Sequence, residues 1–197
     1  MKSHSGRLLY SPHQIQAAVA ELARQICGWI QSGSFPALGW ITVLEGGRPF
    51  SNELSRQVLS RQPSLGLVQG EVRVRGTSGN HLLREREVRL EGWDAGRFRN
   101  LPLLLVDDRV DSGRTLQAVK DVLADLETGE IKTAVVLNKY SAHRTRADYC
   151  ALDLGLTPEE LQAKGLQDLW VYGYGMDLDG LRREEPALWG IGIPRES

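Results

Sequence analysis

Apolar and polar positions follow a helical period over residues 11–33. In SPHQIQAAVAELARQICGWIQSG, Ile15, Val19, Leu22, Ile26 and Ile30 recur every three or four residues, which lines them along one face of an amphipathic helix. Ser11 supplies an N-cap, Pro12 suits the first helical position, and Gly33 can close the helix. ALGWITVLEGG then switches to a continuous apolar run ended by a glycine pair, predicting a buried strand and a turn. PFSNELSRQVLSRQ returns to a helix. LGLVQGEVRVRG and HLLREREVRL predict two extended segments joined by TSGN, and their arginines predict an exposed ribbon or mobile loop, not core.

The second half repeats the alternation. LPLLLVDD is a Leu/Val run typical of a parallel strand buried on both faces. TLQAVKDVLADLETG predicts a helix with Leu116, Val119, Val122, Leu123 and Leu126 on one face. IKTAVVLNK predicts another buried strand, LTPEELQAKG a short helix, and LWVYGYGMD a last strand. Strands alternating with helices predict an α/β fold: a parallel twisted sheet flanked by helices and joined by right-handed crossovers. Ligands on such sheets bind at the carboxyl ends of the strands. LEGG, the acids after LPLLLV, Lys139 and GYGMD all fall at predicted strand ends and are expected to share one face.

A length of 197 residues fits a single domain with a substantial core. Hydrophobic residues are 41% and charged residues 25%, ordinary for a globular protein. Lys plus Arg number 24 against 25 Asp plus Glu, so no global basic charge points to nucleic acid. Cys27 and Cys150 are the only cysteines, which argues against a disulfide framework or a structural zinc site. MKSHSGRLLYSPHQ lacks the apolar core of a signal peptide, and no apolar run approaches the roughly 20 residues of a membrane helix. A soluble, cytoplasmic protein is expected.

The chemistry concentrates in VDDRVDSGRTL. The chain is expected to turn sharply after LPLLLV and to enter a helix near Thr115. Backbone N–H groups of Ser112, Gly113, Arg114 and Thr115 would then form an anion-binding nest at a helix N-terminus. This is not a GxxxxGK[ST] phosphate loop. Nor is it a dinucleotide fingerprint, since GYG at 173–175 lacks the third glycine. Three carboxylates beside a phosphate nest make sense for a sugar phosphate. Asp107 and Asp108 can accept hydrogen bonds from vicinal ribose hydroxyls, and carboxylates also suit hydrated Mg²⁺.

These residues resemble the phosphoribosyl-pyrophosphate signature of type I phosphoribosyltransferases: an apolar strand, two acids, two further residues, Asp, Ser or Thr, Gly, any residue, Thr. From the first helix to GIGI near the end, the chain is similar to the 6-oxopurine branch, the hypoxanthine-guanine phosphoribosyltransferases. The resemblance implies the type I fold with a small hood or lid, a mobile loop at about 70–90 and a base-binding part at about 139–190. It implies that Asp107, Asp108, Asp111, Ser112, Gly113, Arg114 and Thr115 bind phosphoribosyl pyrophosphate, with Asp111 as general base. VLEGGRPF matches the pyrophosphate loop, so Glu45, Gly46 and Gly47 would serve through their backbone while the Glu45 side chain points away. Arg183 would contact pyrophosphate, with Arg182 as its rival. Lys139 would donate to the purine 6-oxo group, Trp170 would stack on the purine, and the Val171 backbone would bond the base edge. Mg²⁺ would be held by Asp107, Asp108 and Asp177. Relatives are dimers or tetramers, so a homo-oligomer is expected.

Two departures stand out. Arg109 replaces an apolar residue of the signature and is either merely exposed or a change in the site's charge. EVRVRGTSGNHLLRERE lacks the Ser-Tyr pair of the family's catalytic loop, leaving Thr77, Ser78 or an arginine as substitutes. They leave room for two rival readings. One keeps the enzyme and changes the base to xanthine, adenine or a pyrimidine. The other keeps the fold as a phosphoribosyl-pyrophosphate sensor that binds RNA or DNA through Arg73, Arg75, Arg84, Arg86 and Arg89.

Overall fold

The computed structural model describes residues 6–76, 86–91, 94–141 and 145–195. Strand β1 (Arg7–Tyr10) leads into helix α1 (Pro12–Ser32), then β2 (Ala37–Leu44), α2 (Arg48–Arg61), β3 (Gly66–Gly76), β4 (Arg86–Glu91) and α3 (Ala95–Phe98). The second half runs β5 (Leu103–Val110), α4 (Arg114–Ala124), β6 (Ile131–Tyr140), β7 (Tyr149–Leu156), α5 (Pro158–Ala163), β8 (Leu166–Tyr172) and β9 (Leu188–Pro194).

The main sheet has the order β4-β3-β2-β5-β6-β7. It is parallel throughout except for β4, which pairs antiparallel with β3. Because side chains alternate across a strand, the apolar runs split between two faces. Leu38, Trp40, Leu104, Val106, Ala134 and Val136 pack beneath α1 and α2. Ile41, Val43, Leu103, Leu105 and Val135 pack against Leu116, Val119 and Leu123 of α4. Both faces are covered, which is why the strands read as unbroken apolar stretches. Helix α1 forms as its pattern predicts. Ser11 and Gln14 make a reciprocal capping box, Pro12 opens the helix, and all five periodic apolar residues are buried.

A smaller antiparallel sheet, β1-β9-β8, stands beside the main one. Val171, Met176 and Leu188 from this region join the α1/α2 core, which anchors the small sheet over the carboxyl ends of the parallel strands. Strands β1, β7 and β9 are additions to what the apolar pattern predicts. Among the described residues, no helix is long and apolar enough to cross a membrane.

Candidate active site

Strand β5 contains both acids of LPLLLVDD and runs on to Val110, so the sharp turn expected after LPLLLV comes later. Its pairing with β6 carries on through Asp107, Arg109 and Val110, so both acids are strand residues. The turn is Asp111, Ser112 and Gly113, and α4 begins at Arg114, one residue earlier than expected. Gly113 is the N-cap with φ +77, a left-handed conformation that favours glycine. A Cβ there would also fall 2.3 Å from the Thr145 carbonyl oxygen. The first-turn N–H groups of α4 have no intrahelical acceptors by geometry and face a cleft of about 270 Å³.

That cleft gathers most of the residues singled out by the sequence. Asp107, Asp108, Asp111, Ser112, Gly113, Arg114 and Thr115 line one wall, Glu45 and Gly46 another, and Asp177 and Arg183 a third. Gly47 sits behind the second wall as the N-cap of α2. The peptide between Leu44 and Glu45 is cis. Buried bonds from Trp40 Nε1 to Ser51 Oγ (2.8 Å), and between Thr42 and Ser51 hydroxyls (2.6 Å), tie β2 to α2 on either side of this loop. The Glu45 carboxylate pairs with Arg73 at 2.9 Å and so points to the ribbon, leaving the loop backbone facing the cleft.

Glycines let the walls meet closely. A Cβ on Gly46 would lie 2.0 Å from Asp108 Oδ2 and force that carboxylate to move, and one on Gly175, where φ is +99, would lie 2.2 Å from the Gly46 carbonyl oxygen, a backbone clash. The loop between β8 and β9 thereby closes onto the 45–47 loop. Arg183 spans it, donating to the Gly175 carbonyl at 2.6 Å and to Asp177 Oδ1 at 2.9 Å. Arg182 is exposed and pairs instead with Glu185.

The two strand acids are electrostatically unusual. The Asp107 carboxylate accepts the Asp108 N–H at 2.8 Å, and the Asp108 carboxylate accepts the Arg109 N–H at 2.6 Å. Burial, then the neighbouring Asp108 charge, push the Asp107 carboxyl well above the usual carboxylate range. Burial also raises Asp108, with Arg109 opposing. Hydroxyl donors or a hard cation would relieve such a pair. The oxygen donors of Asp107, Asp108 and Asp177 suit Mg²⁺. Among the described residues, however, no three His, Cys, Asp or Glu converge as a metal-binding group. A Mg²⁺ ion here would take most of its ligands from water and substrate oxygens, its usual habit.

Lys139, Trp170 and Val171 lie outside the lining of this cleft and connect to it through Asp111 and Arg109. Lys139 is buried at the end of β6, with Nζ 3.8 Å from Asp111 Oδ1. Trp170 donates through Nε1 to the Asp177 carbonyl at 2.9 Å, which fixes its ring relative to the third wall. Arg109 is not merely exposed. Its guanidinium lies 5.9 Å from the centre of the Trp170 ring and donates to Asp111 Oδ2 (3.3 Å) and the Val171 carbonyl (3.4 Å). Burial opposes its charge, but Asp108 and Asp111 outweigh that and raise its pKa above the ordinary value.

Asp168 is a site residue that the motifs did not single out. Its Oδ1 is 2.9 Å from Lys139 Nζ, and it also accepts from the Tyr140 hydroxyl. The available signal was spacing: two residues before Trp170 on a strand is the same face. Of the five arginines proposed as a nucleic-acid patch, Arg73 is held by Glu91 and Glu45, and Arg89 by Glu87. Arg84 lies outside the described residues, as do Thr77 and Ser78.

Residues 8–156 match the sequence profile of the phosphoribosyl transferase domain. The hypoxanthine phosphoribosyltransferase of Haemophilus influenzae is 27% identical over 177 residues, covering 90% of this chain and 90% of that protein. The hypoxanthine-guanine phosphoribosyltransferase of Bacillus subtilis is 24% identical over 200 residues, covering 95% of this chain and 94% of that protein. The solved structure of Trypanosoma cruzi hypoxanthine phosphoribosyltransferase in complex with the product IMP is similar with a TM-score of 0.77 at 20% identity. The match covers 97% of this chain and 96% of that one, a likeness of fold.

Proposed function

This chain belongs to the phosphoribosyl transferase family, and from that premise we infer that it moves a 5-phosphoribosyl group from phosphoribosyl pyrophosphate to a 6-oxopurine, hypoxanthine or guanine, releasing pyrophosphate in purine salvage. One observation carries the reading. Asp111 joins the two halves of the site, standing at the head of the phosphate turn and 3.8 Å from the buried ammonium of Lys139. The names of the bacterial relatives and the IMP complex of the structural neighbour support the same chemistry.

In this reading the N–H groups of residues 112–115, with the Ser112 and Thr115 hydroxyls, bind the 5′-phosphate at the start of α4. Asp107 and Asp108 accept the ribose hydroxyls. As the bond to pyrophosphate lengthens, C1′ gains positive charge, and the same carboxylates stabilise it electrostatically. The backbone of Glu45, Gly46 and Gly47 and the Arg183 guanidinium face the leaving group. Bound Mg²⁺, held with help from Asp107, Asp108 and Asp177, would neutralise charge on that group. Lys139 donates to the 6-oxo oxygen, Trp170 supplies a stacking face, and the Val171 carbonyl accepts from the base edge. Asp111 takes the N7 proton while N9 attacks C1′.

The rival reading, a sensor binding nucleic acid, needs free arginines on the β3–β4 ribbon, and the acidic partners of Arg73 and Arg89 weigh against it. We take residues 1–197 as one catalytic domain acting as a homo-oligomer, a dimer or tetramer. Cys27 and Cys150 are free thiols, which supports a reducing compartment, the cytoplasm. The test is pyrophosphate release from phosphoribosyl pyrophosphate and Mg²⁺ with hypoxanthine, guanine, xanthine, adenine and uracil. Turnover of 6-oxopurines with little for adenine or uracil is expected; turnover of none, or of adenine alone, defeats the reading.

A further inference from the structure

We propose that Arg73 is a positioning residue that draws the Glu45 carboxylate off the wall facing pyrophosphate, and so sets the affinity for phosphoribosyl pyrophosphate. This rests on the reading that the 45–47 loop faces the leaving group. Arg73 pairs in register with Leu44, the last residue of β2, and β3 runs on to Gly76. The arginine therefore stands level with the start of the loop. Its Nη1 reaches Glu45 Oε1 at 2.9 Å, and its Nε reaches Glu91 Oε1 on β4 at 2.7 Å. Two acids thus hold the guanidinium by different nitrogens, and its side chain is only 28% exposed. The Glu45 side chain is 57% exposed, so packing does little to fix it and the ion pair directs it.

Removing the arginine changes what the carboxylate faces. Glu45 lines the main cleft with Asp177 and Arg183, and it borders a neighbouring cavity with Arg48 and Arg183. The hydrogen bond it accepts from Arg73, and then the Arg73 charge, hold its carboxyl below the ordinary value, with Arg183 and Arg48 adding to the effect. Glu45 is therefore a permanent negative charge at neutral pH. Arg48 is paired with Glu71 at 3.1 Å on the ribbon side. Without Arg73, the Glu45 charge turns toward Arg183, on the leaving-group wall. There it competes with pyrophosphate for the guanidinium and repels phosphate oxygens of its own sign. That penalty falls only on ligands that carry pyrophosphate. The nucleotide IMP, with its phosphate at the start of α4, places nothing on this wall.

The test is calorimetric binding of phosphoribosyl pyrophosphate with Mg²⁺, and separately of IMP, to the wild type, Arg73→Leu and Arg73→Lys. The first two are repeated in a Glu45→Gln background, and KM and kcat are measured alongside. Arg73→Leu should weaken phosphoribosyl pyrophosphate binding about three- to tenfold, the scale of one partly solvated charge acting on a multiply charged anion. Its KM should rise in step, while kcat and IMP affinity stay within about twofold of the wild type. Arg73→Lys, a cation that still reaches Glu45, should restore most of the affinity. With Gln at position 45 no charge remains to redirect, so Arg73→Leu should then cost less than about twofold. The same loss in both backgrounds would mean that Arg73 acts by its own charge, and would overturn the inference. Equal weakening of IMP, or no weakening of either ligand by Arg73→Leu, would overturn it too. A wild type that binds neither ligand would instead remove the reading of the site, and this inference with it.

Discussion

Lys139 Nζ lies 2.9 Å from Asp168 Oδ1, with the lysine side chain 5% exposed and the aspartate 32% exposed. A buried ammonium is costly unless it is paired. Asp168 supplies the pairing from the small sheet, so the charge assigned to the purine oxo group depends on contact between the two sheets.

Replacing Asp168 by Asn should therefore cost stability at neutral pH. Because the carboxylate is partly solvated, about 1–2 kcal/mol is expected. Burial alone would raise the Asp168 pKa, but the Tyr140 hydroxyl and Lys139 outweigh it and hold the carboxyl below its ordinary value. A lowered folded-state pKa adds stability above the unfolded value of about 4, and that contribution disappears as pH falls through the folded value. Melting temperatures of wild type and Asp168→Asn should thus differ at pH 7 and converge in acid. A gap independent of pH would argue against this role.

Asp111→Asn keeps the shape of the turn and removes the proton acceptor. Turnover should fall by about 10²–10⁴, while phosphoribosyl pyrophosphate still binds through the α4 N-terminus and the two strand acids. Single-turnover rates alongside calorimetric binding would separate the two effects. A variant that binds poorly would make Asp111 a binding group and not the base.

Two glycines of the β8–β9 loop make a matched pair. Gly175 has φ +99, and a Cβ there meets the Gly46 carbonyl oxygen; Gly180 has φ +81 and nothing nearby. Gly180→Ala should carry only backbone strain, about 1–2 kcal/mol. Gly175→Ala adds a backbone clash that pushes the loop from the 45–47 turn and moves Arg183 with it. Its KM for phosphoribosyl pyrophosphate should rise by an order of magnitude beyond that of Gly180→Ala. Equal kinetics for both variants would show that the contact does not shape the site.

The turn from β5 into α4 was legible because its acids, glycine and helix start lie within eleven consecutive residues, VDDRVDSGRTL. Strands β2, β5 and β6 were legible because burial on both faces leaves continuous apolar runs. Strand β7 escaped because its burial is one-sided and partial, and because no helix separates it from β6. Only eight residues, 141–148, separate β6 from β7, fewer than the dozen or more that a crossover with a helix takes. Strands β1 and β9 pair across nearly the whole chain, a relationship that local pattern does not encode. Asp168 was hidden for a related reason: it acts through a partner on another element, Lys139. Arg109 stood out as a departure from the signature, but its contacts with Trp170 and Val171 lie on another element and are not encoded in the local pattern.

The most direct test of the proposed site is a crystal structure of the protein with inosine 5′-monophosphate. The phosphate should lie on the backbone N–H groups of Ser112 to Thr115, with the ribose hydroxyls on Asp107 and Asp108 and the purine against Trp170. A nucleotide bound away from that turn, or with its phosphate directed at Arg183 and the 45–47 loop instead, would contradict it.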